Sequence, residues 1–505
     1  MALLGRVIKT AVELSQALQS SKDHQQAQQK QLQRLLRDAS GTAFGKYYNF
    51  AGILQDAHSA DAFRDTVPIH DYDKIHQEWW AQQQHVPDIT WMGIPQFFAL
   101  SSGTTGQESK RIPVTEAMLE SIRQVSLDQI KSLANYDLGP EVFEKEILGI
   151  GSSANLQERE GHLEGEISGI NAAQAPEWFD FFYRPGKRIA SIDDWDDRMK
   201  EMVRKAREWD VAAIVGIPSW VLMLLREIVD YYQVDSIHEI WPHLRLYATG
   251  GVAFEPFRES FDQLMDQPVI YQDTYLASEG YFAYTARPGT DAMQLALQHG
   301  IYYEFIPFDE RGFDAQGNRL SKPTVHQLHE VEPGTEYALL VSTVAGTWRY
   351  MIGDTVRFTD LKRKEIVITG RTKYFLNVVG SQLSEAKINT AVQHLCEEHD
   401  VEMNEFTVGA LQENGQWYHQ WILGIADGDV NEDIAISTLD EKLKAINKNY
   451  DVARSKALKR IELRTIPQQR FYDWMEVKKK KGGQVKVPKV MKQEDLQEFI
   501  AFLDD

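Results

Sequence analysis

The chain holds 505 residues, 43% hydrophobic and 25% charged, the composition of a soluble globular protein of about two to four domains. Its formal net charge of −20 sets long-range repulsion against nucleic acid and anionic membrane, so neither is expected as a partner of the whole molecule. A single cysteine, Cys396, excludes an internal disulfide and a zinc–cysteine cluster, and its neighbours Glu397 and Glu398 give it none of the positive surroundings that make a thiol reactive.

In chain order, Met1–Ser20 has apolar residues at helical spacing broken by Arg6, Lys9 and Glu13. It has no uninterrupted apolar core of signal-peptide length, and no run of about 18 apolar residues occurs anywhere, so a cytoplasmic protein is expected. Gln25–Gln33 reads as the solvated face of a helix that runs into Leu32, Leu35 and Leu36. Pro95–Leu100 reads as a strand and leads into Ser101–Lys110, which concentrates four hydroxyls at Ser101, Ser102, Thr104 and Thr105, two glycines at 103 and 106, and Lys110. Glycines that permit positive φ let successive amides converge on one anion, hydroxyls add donors, and a lysine supplies countercharge, so the stretch is a candidate phosphate loop. The spacing differs from the P-loop of nucleotide triphosphatases, because Gln107-Glu108-Ser109 separates Gly106 from the lysine, and a flexible polar turn is the alternative reading.

Glu116–Leu133 has helical periodicity, as expected if a helix follows a phosphate turn. Glu146–Ala154 contains Gly-x-Gly-x-x-Ala after a strand, but Asn155–Gly169 is too polar and glycine-rich to open a helix, which argues against a dinucleotide site. Trp209–Pro218 and Leu244–Gly251 read as buried strands, followed by helices near Ser219–Tyr232 and Pro256–Met265. This alternation predicts an α/β sheet whose glycine-terminated strand ends, Gly250 and Gly251 among them, gather around a ligand. Tyr275-Leu276-Ala277-Ser278-Glu279-Gly280 sets an aromatic ring four residues before a carboxylate, and Arg349–Asp354 ends in an aspartate after a glycine. Glu279 could equally be a surface acid, and Asp354 a hairpin-turn residue between strands Glu336–Val344 and Thr355–Phe358. Trp178, Phe179, Phe181, Phe182 and Tyr183 form an aromatic cluster that reads either as core or as the lining of an acyl pocket.

Taken together in this order, Ser101–Lys110, Tyr275–Gly280 and Arg349–Asp354 resemble the three nucleotide motifs of the auxin-responsive acyl-acid amido synthetases, the Gretchen Hagen three family of the adenylate-forming superfamily that includes acyl-CoA synthetases and firefly luciferase. Gly106 stands one position earlier than in the plant members, and the third motif has its aromatic and arginine exchanged. Gly370-Arg371-Thr372-Lys373 is similar to the superfamily hinge, and Gln484–Lys489 to the segment that carries its mobile catalytic lysine.

The resemblance implies a large multi-sheet α/β N-terminal adenylate-forming domain over 1–370 and a smaller mobile α+β C-terminal lid over 371–505, with Lys373 as the pivot. It implies that Ser101, Ser102, Gly103, Thr104, Thr105 and Lys110 hold the β- and γ-phosphates of ATP, and that Tyr275 with Ser278, Gly250 and Gly251 lies at the adenine. Glu279 would bind Mg²⁺, Asp354 the ribose hydroxyls, Arg371 the ribose or phosphate, and Lys486 the α-phosphate during adenylation. The expected partners are a small carboxylic acid and an amine such as an amino acid, with a monomer as the expected assembly. An acyl-CoA ligase sharing the adenylation step, and a nucleotide-binding protein without turnover, are the alternatives. The basic run Lys478–Lys481 reads as a solvated charge run or as local attraction for ATP or pyrophosphate.

In the lid the pattern predicts a helix over 384–399, a hairpin across Glu413-Asn414-Gly415, a helix over 431–447 and a strand near Ile461–Thr465.

Overall fold

The computed structural model describes residues 9–10, 23–101, 110–175, 181–314, 318–372, 383, 385–413, 416–456, 458–478 and 487–504. The glutamine-rich stretch forms the helix His24–Ala39, opened by Asp23, whose carboxylate accepts from the amides of Gln25 and Gln26. Gln28 corrects the expectation of a wholly solvated face: it is buried, donates to the Leu297 and Ile301 carbonyls, and accepts from the Tyr303 amide. Periodicity identifies an apolar face, whereas backbone partners across the core decide whether a polar residue can share it.

The strands up to the middle of the chain are β1 (Phe97–Ser101), β2 (Lys110–Val114), β3 (Glu146–Ile150), β4 (Gln157–Arg159), β5 (His162–Gly165), β6 (Tyr183–Arg184), β7 (Val211–Gly216), β8 (Leu246–Gly250) and β9 (Ile270–Ala277). They are followed by β10 (Gly280–Tyr284), β11 (Met293–Leu295), β12 (Ile301–Pro307), β13 (His326–Gln327), β14 (Glu336–Thr343), β15 (Thr347–Asp360) and β16 (Glu365–Arg371). Among the described residues these make a small sheet, β2-β1-β5-β4, and a large mixed sheet ordered β13-β12-β14-β15-β16-β11-β10-β9-β8-β7-β3-β6.

The half of the large sheet from β6 to β9 is parallel, and the half from β9 to β13 antiparallel. The parallel half arises where strand and helix alternate: β7 leads into Pro218–Tyr232, whose opening proline occupies a position that needs no amide donor. Its strands are apolar on both faces, as a doubly covered sheet requires. Leu148, Ile214 and Tyr247 enter one core, with Tyr271 packed against it, while Ala213 and Leu246 enter another beside Ile147 and Ile270.

The helix expected over Glu116–Leu133 is present as Glu116–Ser132, capped by Thr115, and a strand that the sequence reading did not name precedes it: after β1 the chain returns as β2, antiparallel to β1. Burial of Ile112 and Val114 against the core drives that return. The hairpin-turn reading of Asp354 needs correcting, because the residue lies inside the 14-residue β15, and the turn to β14 falls at residues 344–346.

Residues from Leu383 onward build two cores of their own, one around Leu395, Phe406, Trp421 and Leu439 and one around Ile422, Phe471, Trp474 and Phe499. The helix Glu385–His399, the antiparallel pair β17 (Glu405–Glu413) and β18 (Gln416–Ile425), the helix Glu432–Ile446 and β19 (Leu458–Pro467) follow the expected pattern. Asn431 caps the second of these helices through the amides of Asp433 and Ile434, and β19 runs parallel to β18. Glu402 joins this lobe to the rest of the chain, receiving Arg226 at 2.8 Å and the hydroxyl of Ser260, to which Asn404 also donates. Cys396 is half-buried, and burial with nearby Glu259 and Glu397 pushes its thiol up to about 12, in keeping with an unreactive cysteine.

β18 carries His419 into the first of these cores, where it is fully buried and stacked on Tyr450 with neither ring nitrogen hydrogen-bonded. Burial, reinforced by the Arg454 guanidinium, pushes its pKa from 6.5 down to about 3. The unfolded chain therefore takes up a proton that the folded chain refuses, and the associated stability is complete above about pH 6.5 and lost as pH falls toward 3. His419→Phe, which keeps the stacked ring and removes the titration, should lose less stability than the wild type between pH 6.5 and 4, by up to about 3 kcal/mol, in denaturant titrations at each pH.

Candidate active site

The site gathers at the ends of β1, β8, β9 and β16 and at the middle of β15. Ser101 and Lys110 stand directly opposite each other as the last residue of β1 and the first of β2, and Ser102, Gly103, Thr104 and Thr105 lie outside the described residues. Lys110 is steadied from below: its ammonium lies 5.4 Å from the centre of the Tyr72 ring, and the Tyr72 hydroxyl accepts from the Arg111 amide at 2.9 Å.

β9 and β10 form a tight hairpin in which Ala277 pairs with Gly280, leaving Ser278 and Glu279 as its two turn residues. A carboxylate at such a turn ordinarily points into water, yet Glu279 is 6% exposed, so the surface-acid reading falls. Burial raises the Glu279 carboxyl above the usual range and the charge of Lys110 draws it back, with Asp354 and Arg371 acting in opposite senses. Tyr350, buried on β15, feels the same carboxylate: burial first and Glu279 second raise its phenol well above the usual value, and its hydroxyl has no well-formed hydrogen bond.

Asp354 is the best-held group. Its two carboxylate oxygens are taken by different strands, Oδ2 by the Tyr275 hydroxyl of β9 at 2.6 Å and Oδ1 by Nε of Arg371 on β16 at 2.8 Å. Register explains the second contact, because Asp354 and Arg371 are cross-strand partners. Gly353 has φ +99, and its carbonyl accepts from the Thr372 amide at 2.7 Å, which extends the ladder past Arg371. Tyr275 packs on Phe282 at 5.2 Å. Gly251 turns the chain at φ +85, while at Gly250 a Cβ would collide with the Thr274 side chain, so packing between β8 and β9 already demands glycine there.

The structure thus brings Lys110, Glu279, Tyr275, Asp354 and Arg371 together. Lys373 and Lys486 lie outside the described residues, as do Trp178 and Phe179 of the aromatic cluster. The chain just beyond Lys486 is firmly placed, since Val490 bridges to Val408, the Pro488 carbonyl accepts from Thr407, and Lys489 pairs with Glu405 at 3.0 Å over the Phe406 ring. Lys478 of the basic run pairs with Glu498. Sequence reasoning missed Tyr72, and no local pattern marks it, because its partner Lys110 is distant in the chain.

Arg349, read as part of the third motif, is a core residue. It is 3% exposed, pairs through Nε with Glu304 at 2.8 Å, and donates from Nη1 to the Arg64 and Val67 carbonyls.

Family models match three stretches of the chain, the GH3 family N-terminal domain over residues 13–206, the central domain over 294–371 and the C-terminal domain over 386–495. The chain belongs to the GH3 family. It is 28% identical over 167 residues to the indole-3-acetic acid-amido synthetase GH3.2 of Arabidopsis thaliana, covering 31% of this chain and 30% of that protein. It is 25% identical over 279 residues to the probable indole-3-acetic acid-amido synthetase GH3.9 of Oryza sativa subsp. japonica, covering 50% of this chain and 61% of that protein. The chain therefore spans less than two thirds of the length of either relative. The GH3.15 acyl acid amido synthetase shares the fold along almost its whole length, with a TM-score of 0.76 at 17% identity over 95% of this chain and 94% of that one. The same enzyme in complex with 2,4-DB matches at 0.75 and 18% identity, over 98% and 96%.

Arg349→Met leaves Glu304 charged and buried without its partner, so it should cost about 3–5 kcal/mol in denaturant unfolding, and adding Glu304→Leu should recover part of that loss.

Proposed function

We propose that the protein is an ATP-dependent acyl-acid amido synthetase, which activates a carboxylic acid as acyl-AMP and transfers the acyl group to an amine, an amino acid being the favoured class. The observation that carries the reading is the convergence of Lys110, Glu279 and the Tyr275–Asp354–Arg371 cluster, drawn from segments far apart in the chain. The family to which the chain belongs, whose matched members bear the name amido synthetase, favours an amine over coenzyme A as acceptor.

In the first half-reaction a carboxylate oxygen attacks the α-phosphorus of ATP, the bond from that phosphorus to the bridging oxygen breaks, and pyrophosphate leaves. In the second, the amine nitrogen attacks the acyl carbon, the carbon–oxygen bond to AMP breaks, and the amine gives up a proton. Both half-reactions depend on alignment and on neutralising oxygen charge. Ser101–Thr105 and Lys110 take the β- and γ-phosphates. Tyr275, Ser278 and the Gly250–Gly251 turn form the adenine side, and the Tyr275 hydroxyl links that side to Asp354, which accepts from the ribose hydroxyls with Arg371 beside it.

The residues also fit Mg²⁺. Among the described residues no group of three or more His, Cys, Asp or Glu could cage a metal ion, and Mg²⁺ is ordinarily held by one or two carboxylates together with substrate phosphates. Glu279 is the carboxylate that would hold it, and the neighbouring Tyr350 hydroxyl, without a well-formed bond of its own, leaves room for a changed hydrogen-bond pattern. When bound, the ion would neutralise charge on the phosphate oxygens. We further assign residues 1–370 to the nucleotide- and acid-binding domain and 371–505 to a lid that pivots at Lys373 and carries Lys486 to the α-phosphate. No described helix is long and apolar enough to cross a membrane.

The reading is tested by ATP–pyrophosphate exchange across a library of carboxylic acids, then by mass spectrometry of mixtures holding ATP, an accepted acid, amino acids and coenzyme A together. Acid-dependent exchange and a dominant amide are expected, whereas a dominant thioester would overturn the acceptor while leaving adenylation intact. Glu279→Ala should abolish the Mg²⁺ dependence of ATP-induced thermal stabilisation, which in the wild type should reach about 2.7 kcal/mol at 100 times the dissociation constant. Lys486→Ala should slow exchange by about 10²–10³, retain ATP binding, and still convert supplied acyl-adenylate to amide.

A further inference from the structure

One polar contact ties the C-terminal lobe to the helix that follows the Gly250–Gly251 turn. The backbone of Glu402 exchanges hydrogen bonds with Asp427, and its side chain is only 13% exposed. A single oxygen, Oε1, accepts from Arg226 Nη2 at 2.8 Å, from the Ser260 hydroxyl and from Asn404 Nδ2 at 3.2 Å. Asn404 also donates to Ser260 Oγ at 3.2 Å. Ser260 and Asn404 are both buried, so the hub is shielded from water.

Each side of this hub is anchored to a part of the proposed active site. Ser260 lies on the helix Arg258–Asp262, which is clamped to two strands of the large sheet: Phe261 stacks on Tyr247 of β8 at 4.9 Å, and Asp262 accepts from the Tyr271 hydroxyl of β9 at 2.6 Å. β8 ends in Gly250 and β9 carries Tyr275, so the helix is fixed to the adenine side of the site. On the lobe side, Lys489 donates to the Asn404 carbonyl at 3.1 Å and to Glu405 at 3.0 Å. Gln468 accepts from the Asn404 amide and donates to Tyr472, whose hydroxyl donates to Glu405, which braces the two residues that hold Lys489. Lys489 stands three residues beyond Lys486, and that length of chain reaches ~10 Å at most, so fixing Lys489 bounds the position open to Lys486.

The hub is built for geometry more than for stability. An apolar contact between lobes stabilises as well as a buried ion pair or better, whereas a carboxylate oxygen shared by donors from three directions accepts one arrangement only. Asn404 Oδ1 points the same way, since it is buried with no hydrogen bond among the described residues, and the amide is kept for its donor although its acceptor stays unsatisfied.

We propose that Glu402, with Arg226 and Ser260, positions Lys486 for adenylation by setting the lysine-bearing segment in register with the turn that takes the adenine. This assignment rests on the amido-synthetase reading and adds positioning residues to its first half-reaction. They act through Asn404, Lys489 and the chain between Lys489 and Lys486, and not on substrate.

The test compares Glu402→Gln with the wild type in ATP–pyrophosphate exchange and in amide formation from chemically prepared acyl-adenylate, alone and combined with Lys486→Ala. Glu402→Gln keeps the shape of the side chain and removes the charge that holds Arg226. Its kcat for exchange should fall at least about tenfold with KM for ATP within about twofold, the mark of a misplaced group, while amide formation from supplied adenylate stays within about threefold. Because both variants act on one group, Glu402→Gln should slow the Lys486→Ala enzyme by less than about twofold further. Arg226→Lys, which keeps a cation, should retain more exchange than Arg226→Met. Exchange at the wild-type rate in Glu402→Gln, equal losses in both half-reactions, or an undiminished further loss on top of Lys486→Ala overturns the positioning role alone. Absence of acid-dependent exchange in the wild type overturns the amido-synthetase reading and the role of the hub with it. Should Glu402→Gln fail to fold, Ser260→Ala and Arg226→Met, each of which removes a single donor side chain, decide the matter by the same criteria.

Discussion

The site depends on one carboxylate held from two sides. Asp354 is buried and receives Tyr275 from β9 on one oxygen and Arg371 from β16 on the other. Hydrogen bonds to a charged acceptor contribute about 1.5–3 kcal/mol where they are shielded from water, which is the situation of Tyr275, whereas Arg371 remains partly solvated and contributes less. The geometric consequence matters more than the energy. β9 and β16 are not neighbours in the sheet, and Asp354 fixes the distance between a motif in the parallel half and one in the antiparallel half. Each oxygen retains a lone pair for a further donor, so the group is positioned without being used up.

The sheet divides the work accordingly. In the parallel half β7 and β8 end in glycine, and glycine stands where neighbouring side chains come close, as Thr274 does at Gly250 and Tyr183 at Gly149. The antiparallel half supplies the Asp354–Arg371 pair, which cross-strand register sets opposite each other beside a shift between Thr355 and Val356. Beneath both, the N-terminal layer is threaded onto β15: His70 forms a parallel bridge to Tyr350, and two residues later Tyr72 supports Lys110. Gly370, at φ +139, sits so near the start of the helix Glu385–His399 that a Cβ would come within 3.0 Å of Glu385, which ties the end of β16 closely to the first helix of the C-terminal lobe.

Much of this was legible in the sequence, and the failures have physical causes. Period-2 and period-3.6 patterns located β7, β8, the helix after β7 and the four lobe elements, because each is apolar on the face that its neighbours cover. Glu279 and Asp354 were found as residue types in motif order, but their burial was not, since the alternative positions of a hairpin turn and a strand look alike until the partners of that strand are known. Arg349 had no role assigned from the sequence, and its burial was not legible because β15 is irregular there: the register with β14 shifts between Val341 and Thr343, and Arg349 itself has φ +42, so alternation no longer tells which way it points. The strand β2, between the Ser101–Lys110 loop and the expected helix, went unread for another reason. Lys-Arg-Ile-Pro-Val is too short to assert a period of its own, and only its pairing with β1 makes it a strand.

The charge balance carries the argument one step further. Under the proposed function, a protein of net charge −20 would have to reverse its own field locally to take a polyanionic nucleotide, and the described site contains two carboxylates as well as two cations. Burial holds the Glu279 carboxyl above its usual range even with Lys110 acting on it, so the group is poorly compensated by the protein alone. An incoming triphosphate would worsen that imbalance, and a divalent cation arriving with it would relieve it at the same carboxylate. Under the proposed function, the net charge that opposes nucleic acid as a general partner would also select against ATP unaccompanied by a cation.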